Sequence, residues 1–282
     1  MSAKASSAKS SSLLGTVLGS LASFYNKRWL IKYLVQRQMA SNYRQSYLGL
    51  IWSFLSPLLM VVLFTIVFSE LLGVRFREVT GDSSLNFGLY LYCGLLPFLA
   101  FQGTLNQGVT IIPRNSDLVE RVVFPLEILP LSVSLTSFIL NFAGVPAIML
   151  VFLVLEQRLE WTAVLLPLIM VPQLLFTLGL SYLMAVAGTY VPDTRETLRG
   201  MVRAMFFVTP IFWPPEMAPE SLRFLVDYNP LAFLVEAYRD LILNGELPGA
   251  VATSYFYLFA VTLFAVGLVV FDRAKQNFVD ML

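Results

Sequence analysis

The chain has 282 residues, of which 57% are hydrophobic and 13% charged, and its mean hydropathy is +0.73. A soluble domain carries about 25% charged residues, so the composition excludes an ordinary soluble protein and points to a membrane protein. The net charge of +1 leaves no basic excess for nucleic acid, and the absence of histidine removes the commonest metal ligand and proton relay.

Residues 1–23 open with a Ser/Ala/Lys-rich run and a weakly apolar patch, and read as a disordered or weakly ordered cytoplasmic tail. Residues 24–282 read as a single transmembrane domain. Its first segment, 24–44, places Leu30, Ile31, Leu34, Val35 and Met39 near helical spacing. Lys27, Arg28, Trp29, Lys32, Tyr33, Arg37 and Arg44 surround them. That pattern predicts an amphipathic helix lying in the inner interface, either as a plain anchor or as a docking or gating helix.

Apolar, charge-poor stretches predict six spans, at about 50–72, 87–112, 128–155, 161–190, 198–213 and 250–271. The first begins with "NYRQSYLGLIWSFLSPLLM": Tyr43, Arg44 and Tyr47 at headgroup level, then Trp52, then Pro57 inside the apolar run. Pro57 removes a backbone donor and should bend this helix. Gly49 and Ser53 are spaced as a small-xxx-small pair for close packing. The lone Cys93 lies in the second span and reads as a small buried hydrophobe.

Between spans two and three, "PRNSDLVERVVFPLEILP" predicts a two-turn helix, with Asp117 and Glu120 forming a capping box. Leu118, Val119 and Val122 share one face, which suits either a partner's cleft or the lipid surface. After span four, Pro192 ends one helix, and Asp193 and Thr194 are placed to cap the next. The outer segment 209–243 is proline-rich, then half apolar, and predicts a segment that dips into the membrane and returns or lies on it, a candidate wall of an outer vestibule. Tyr90, Tyr92, Phe98 and Phe101 belong either to an interfacial aromatic belt or to a stacking surface for sugar rings.

Of the 19 lysines and arginines, 14 fall on the side of the termini, and the first 69 residues hold no acid. The positive-inside rule then places both termini in the cytoplasm. The span centres carry no charge, which disfavours an ion-coupled carrier. The chain has no phosphate-cradling G-x-x-x-x-G-K-[ST] motif, no zinc-ligand spacing and no nucleophile elbow. Energy must come from elsewhere, unless the protein is a passive pore or an enzyme acting on lipid-linked sugars.

Taken in order, "YRQSYLGLIWSFLSPLL", "LVERVVFPLEILPLSVSL", "TPIF" and "NPLAFLVEAYRDLIL" resemble the membrane subunit of ATP-binding-cassette polysaccharide exporters. That family exports O-antigen, capsule or teichoic acid, and the likeness runs from about residue 27 to the end. It implies an all-α membrane protein in the bacterial plasma (inner) membrane, with a coupling helix and outer re-entrant helices between spans five and six. It implies a non-catalytic homodimer above two copies of a cytoplasmic ABC ATPase, which would hold ATP and Mg, so no cofactor is expected on this chain.

Leu118, Val119, Glu120, Arg121 and Phe124 would then contact the ATPase. Arg28, Trp29, Tyr43, Arg44, Tyr47, Trp52 and Pro57 would form the interface and gate. Tyr90, Tyr92, Phe98, Phe101, Asn229, Pro230 and Arg239 would line the channel or its outer gate. A lipid-linked polysaccharide would be the cargo, with membrane lipids around it and room for periplasmic or outer-membrane export components. A drug or small-lipid exporter of the same fold is the alternative. Leu126, Glu120 and Pro192-Asp193 depart from the family's usual residues.

Overall fold

The computed structural model describes residues 13–42, 47–71, 84–120, 124–156 and 160–281. Among these every regular element is helical. Two N-terminal helices, α1 (Leu13–Asn26) and α2 (Arg28–Asn42), precede α3 (Trp52–Phe64), which continues as a wider π turn over Thr65–Leu71. Then come α4 (Ser84–Gly108), the single-turn α5 (Ser116–Val119), α6 (Ile128–Phe142) and α7 (Gly144–Glu156). The chain ends with α8 (Leu166–Tyr190), α9 (Thr194–Val208), the short α10 (Phe224–Asp227), α11 (Pro230–Arg239) and α12 (Ala250–Ala274).

Among the described residues, four stretches are long and apolar enough to cross a membrane: Phe87–Gly108, Ile128–Val154, Trp161–Tyr190 and Ala250–Asn277. Their burial sorts them. The most apolar window of Phe87–Gly108 is 83% buried, whereas that of Ala250–Asn277 is 39% buried. α4 is therefore the central post, packed by α3, α6, α8, α9 and α11, while α12 keeps one face outward and lies along α8. Lipid tails are as apolar as leucine, so buried polar groups between helices must satisfy one another. Gln173 donates to the Pro97 carbonyl at 2.9 Å and accepts from the Tyr238 hydroxyl at 2.6 Å, tying α8, α4 and α11 together.

Several sequence expectations change here. Helix begins at Leu13 rather than Phe24, because α1 rests on α12 and Phe24 packs into the core beneath. The expected span 128–155 is two helices hinged at Ala143, where Pro146 cannot donate to the Phe142 carbonyl. The fifth expected span, 198–213, is helical from Thr194 and stops at Val208. Pro210 forces Thr209 out of the helical region to ψ 133°. Gly49 has φ +52° and serves a left-handed turn ahead of α3; nothing from the same chain stands within 4 Å of where a Cβ would be.

Contacts sort the ends of these helices onto two faces. Ser23 of α1 donates to Glu127 at 3.3 Å, just before α6, and Lys275, just after α12, pairs with the same carboxylate at 3.4 Å. The Tyr190 ring meets Phe278. One face thus gathers α1, the α5 loop, the end of α8 and the end of α12. The opposite face carries residues 160–165 and the outer segment, joined where Thr162 donates to the Leu241 carbonyl at 2.8 Å.

Candidate functional site

On the first face, α5 is one turn long, with Asn115 at its N-cap position. Asn115 does not cap through its side chain; its amide instead donates back to the Ile111 carbonyl at 2.7 Å. The predicted capping box of Asp117 and Glu120 is therefore not formed, and the second turn would fall on 121–123, outside the described residues. Nor does the apolar face point outward. Val119 is 5% exposed and packs with Leu34, Ile112 and Ile128, while Leu118 and Phe124 pack partly against the same cluster. What α5 offers outward is Asp117 and Glu120. Arg121 lies outside the described residues, as do Val122, Tyr43 and Arg44.

Behind α5 stands a junction that sequence reading missed. The Glu127 carboxylate takes Ser23 and Lys275, and Lys275 also pairs with Asp272 at 2.7 Å. The Glu127 carbonyl accepts from the buried Tyr182 hydroxyl at 2.8 Å. Four helices from distant parts of the sequence thus converge on one residue beside the loop helix, and no local pattern could have marked it.

The expected interface residues divide. In α2, Leu34 and Val35 are buried, whereas Trp29 and Tyr33 are 69% and 57% exposed. Arg28 lies over the Tyr25 ring at 4.8 Å. The helix packs on α6, where Thr136 donates to Gln38 at 3.0 Å. Tyr47 is fully exposed, Trp52 is half-buried, and Pro57 falls within α3.

On the opposite face the broken end of α9 creates a problem in physical chemistry. Irregular backbone at membrane depth must have its carbonyls satisfied by protein. Arg239 does this. Its guanidinium donates to the Pro210 carbonyl at 2.9 Å and the Ile211 carbonyl at 2.7 Å. It pairs with Glu236 at 2.6 Å and stacks 3.5 Å from the Tyr90 ring centre, and the side chain is 1% exposed. The planar fork allows several bonds and a stacked face at once, which a lysine could not supply. Gly94 makes the room, since a Cβ there would stand 2.8 Å from Arg239 Nη2. Asn229 closes the other side: it caps α11 by accepting from the Leu231 amide at 2.9 Å and donates to Thr209 at 3.1 Å. Pro230 occupies the first turn of α11.

The structure brings Tyr90, Asn229, Pro230 and Arg239 into this region, but not as an open lining. Tyr90, Tyr92, Phe98 and Phe101 are 4%, 4%, 0% and 1% exposed within the single chain. Phe98 packs on Phe206, and Phe101 stacks on Phe176. Within the single chain these four rings form neither an open sugar-stacking surface nor an interfacial belt, because α4 is the central helix and most of it is covered; Phe101 alone of the four also borders a cleft between α9 and α12. Gln173 and Tyr238, which sequence reading passed over, hold the same core; a glutamine inside an apolar span was the available signal. Among the described residues no cluster of acid or cysteine side chains could hold a metal ion.

Comparison with known proteins adds the following. A family model described as "ABC-2 type transporter" matches residues 30–243. The chain is 28% identical over 260 residues to the O-antigen export system permease protein RfbA of Myxococcus xanthus, covering 92% of this chain and 97% of that protein. It is 27% identical over 263 residues to a Klebsiella pneumoniae protein of the same description, covering 92% and 98%. It is 22% identical over 249 residues to the polysialic acid transport protein KpsM of Escherichia coli, covering 87% and 93%.

Proposed function

Because the chain belongs to the ABC-2 type transporter family, we propose that it is the membrane subunit of an ATP-driven polysaccharide exporter. The observation that carries this reading is the near end-to-end match to O-antigen and polysialic acid transport proteins. The cargo in this reading is a lipid-linked polysaccharide, moved from the cytoplasmic side across the plasma membrane through a channel between two copies of the chain.

Six crossings complete the topology: the four long apolar helices, α3, and α9 with its broken extension 209–213. The lysine and arginine asymmetry supports placing the face with α1, α5 and the end of α12 in the cytoplasm. A separate ATPase supplies the energy, since the chain has no phosphate-binding loop of its own. It docks where α5 shows Asp117 and Glu120, and the Glu127 junction passes its movement to α1, α8 and α12. At the other face the Arg239 clamp shapes the outer gate.

Co-expression with candidate ABC ATPases tests this. One ATPase should co-purify in equal amounts with the chain and hydrolyse ATP, and deleting the chain should leave the polysaccharide inside the cell. If no ATPase binds and the surface polysaccharide survives the deletion, the reading is overturned.

A further inference from the structure

Between α9 and α12, floored by α4 and α8, lies a cavity of about 480 Å³. That is within the usual range for small-molecule sites, about 300–1,000 Å³. Its walls are apolar and deformable: Phe101, Phe176, Met184, Met201, Met205 and Phe259. Polar side chains reach it at one end only, through Asp193, Thr194 and Thr197. Both threonine hydroxyls already donate within the protein, Thr194 to the Ala187 carbonyl and Thr197 to the Asp193 carbonyl. The body of the cavity thus has nothing to hold water with, since a buried water needs two to four polar partners.

Three further observations say what fills it. The first is length: the α9 wall runs from Thr194 to Met205, about 16 Å at 1.5 Å per residue. That is about half of a hydrocarbon core about 30 Å thick, or one leaflet. The second is closure away from the polar end, where Pro230, next to the Asn229 that bonds Thr209 just past α9, lines the same cavity. The third is charge. Arg195 follows Thr194 directly, is half-buried, and has no side-chain hydrogen bond or ion pair among the described residues. Arg199, one turn on, already pairs with Glu196 at 2.8 Å. Arg195 is not itself in the cavity lining, but a guanidinium without an anion on a half-buried residue, one position from the polar end of a dry slot one leaflet long, is complementary to a lipid with a phosphate headgroup.

We propose that this cleft binds one membrane phospholipid, its acyl chain along α9 and its phosphate on Arg195, at the membrane face that carries the α8–α9 turn. The proposal does not depend on the exported cargo being a glycan. An anionic headgroup with a single phosphodiester, such as phosphatidylglycerol, suits it better than a zwitterionic one, whose choline would add a second cation beside Arg195. Asp193 at the rim limits how much negative charge the headgroup can bring.

The test is native mass spectrometry of the purified chain after stripping in detergent and addition of equimolar phosphatidylglycerol and phosphatidylcholine. Wild type should retain about one lipid per chain, chiefly phosphatidylglycerol. Met201→Trp, which fills the slot, should lose it. Arg195→Gln should keep a lipid but lower the preference for phosphatidylglycerol about tenfold, the scale of one charge-assisted bond. Met184→Trp fills the same slot from α8, so a folding failure in one variant leaves the other to decide. No retained lipid in wild type would overturn the proposal. So would unchanged retention and preference in both tryptophan variants, or closure of the cleft by a second copy of the chain with lipid excluded.

Discussion

Removing the Arg239 side chain is the sharpest perturbation the structure offers. In Arg239→Ala the Pro210 and Ile211 carbonyls lose their donors at a depth where water cannot replace them. Each orphaned group costs about 1–3 kcal/mol. The stacking on Tyr90 contributes about 1 kcal/mol more. The pair with Glu236 adds little, because that carboxylate is 36% exposed and water can take it over. The loss comes to about 4 kcal/mol against lifting the outer segment from α4, about three orders of magnitude in the opened population.

Cys93 reports that opening. It is the chain's one cysteine, fully buried, and next in sequence to Gly94, on which Arg239 rests. When opening and closing outrun the labelling chemistry, the rate of N-ethylmaleimide labelling follows the opened fraction. Arg239→Ala should label at least about a hundredfold faster than wild type, even if only about 3 kcal/mol of the loss is felt. Arg239→Lys, which keeps the charge without the fork, should fall between them. Labelling of Arg239→Ala within about threefold of wild type would refute the clamp, because two carbonyls at that depth cannot lose their donors for so little.

Three further outcomes follow from the packing. Val119→Asp buries an unpaired carboxylate under α5 and should cost about 3 kcal/mol or more of stability, seen as lost folded yield, whereas Glu120→Ala should stay within about 0.5 kcal/mol of wild type in unfolding yet weaken co-purification of the ATPase. Gly179→Ala places a Cβ 2.7 Å from the backbone of Leu263 and Phe264, so it should force α8 and α12 apart at about 1–3 kcal/mol, read by denaturant unfolding in micelles. Tyr92→Ala should lose about 3–5 kcal/mol by leaving a cavity in the core, and its melting temperature should fall whether or not glycan is present; a stable variant with a blunted glycan response would return Tyr92 to the channel wall.

The sequence determined a good deal by itself. Composition required a membrane protein, and charge-free runs located the four long apolar helices, because hydrocarbon demands about 20 apolar residues whatever they pack against. The alternation of apolar and basic residues in 28–42 found α2 and its buried face, since helical periodicity is a local property. The prolines at the start of 209–243 announced that helix could not continue there, and α9 stops at Val208.

Direction and partnership were not legible. Leu118 and Val119 read as a face for a partner's cleft or for the lipid surface, whereas the core cluster that claims them includes Leu34, Ile128 and Phe271 from distant parts of the chain. Tyr90 and Phe101 look like any span aromatics until α4 proves to be the central post, with most of its length buried. Arg239 entered only as a residue that the resemblance places at the channel or its outer gate. Only the fold shows that it sits over Tyr90, in the space Gly94 leaves, with the freed carbonyls of a proline break in reach. Periodicity and hydropathy are set within a few residues of each position, so sequence determines which segments enter the membrane. Which buried groups satisfy one another depends on contacts across more than a hundred residues, and those exist only once the helices have packed.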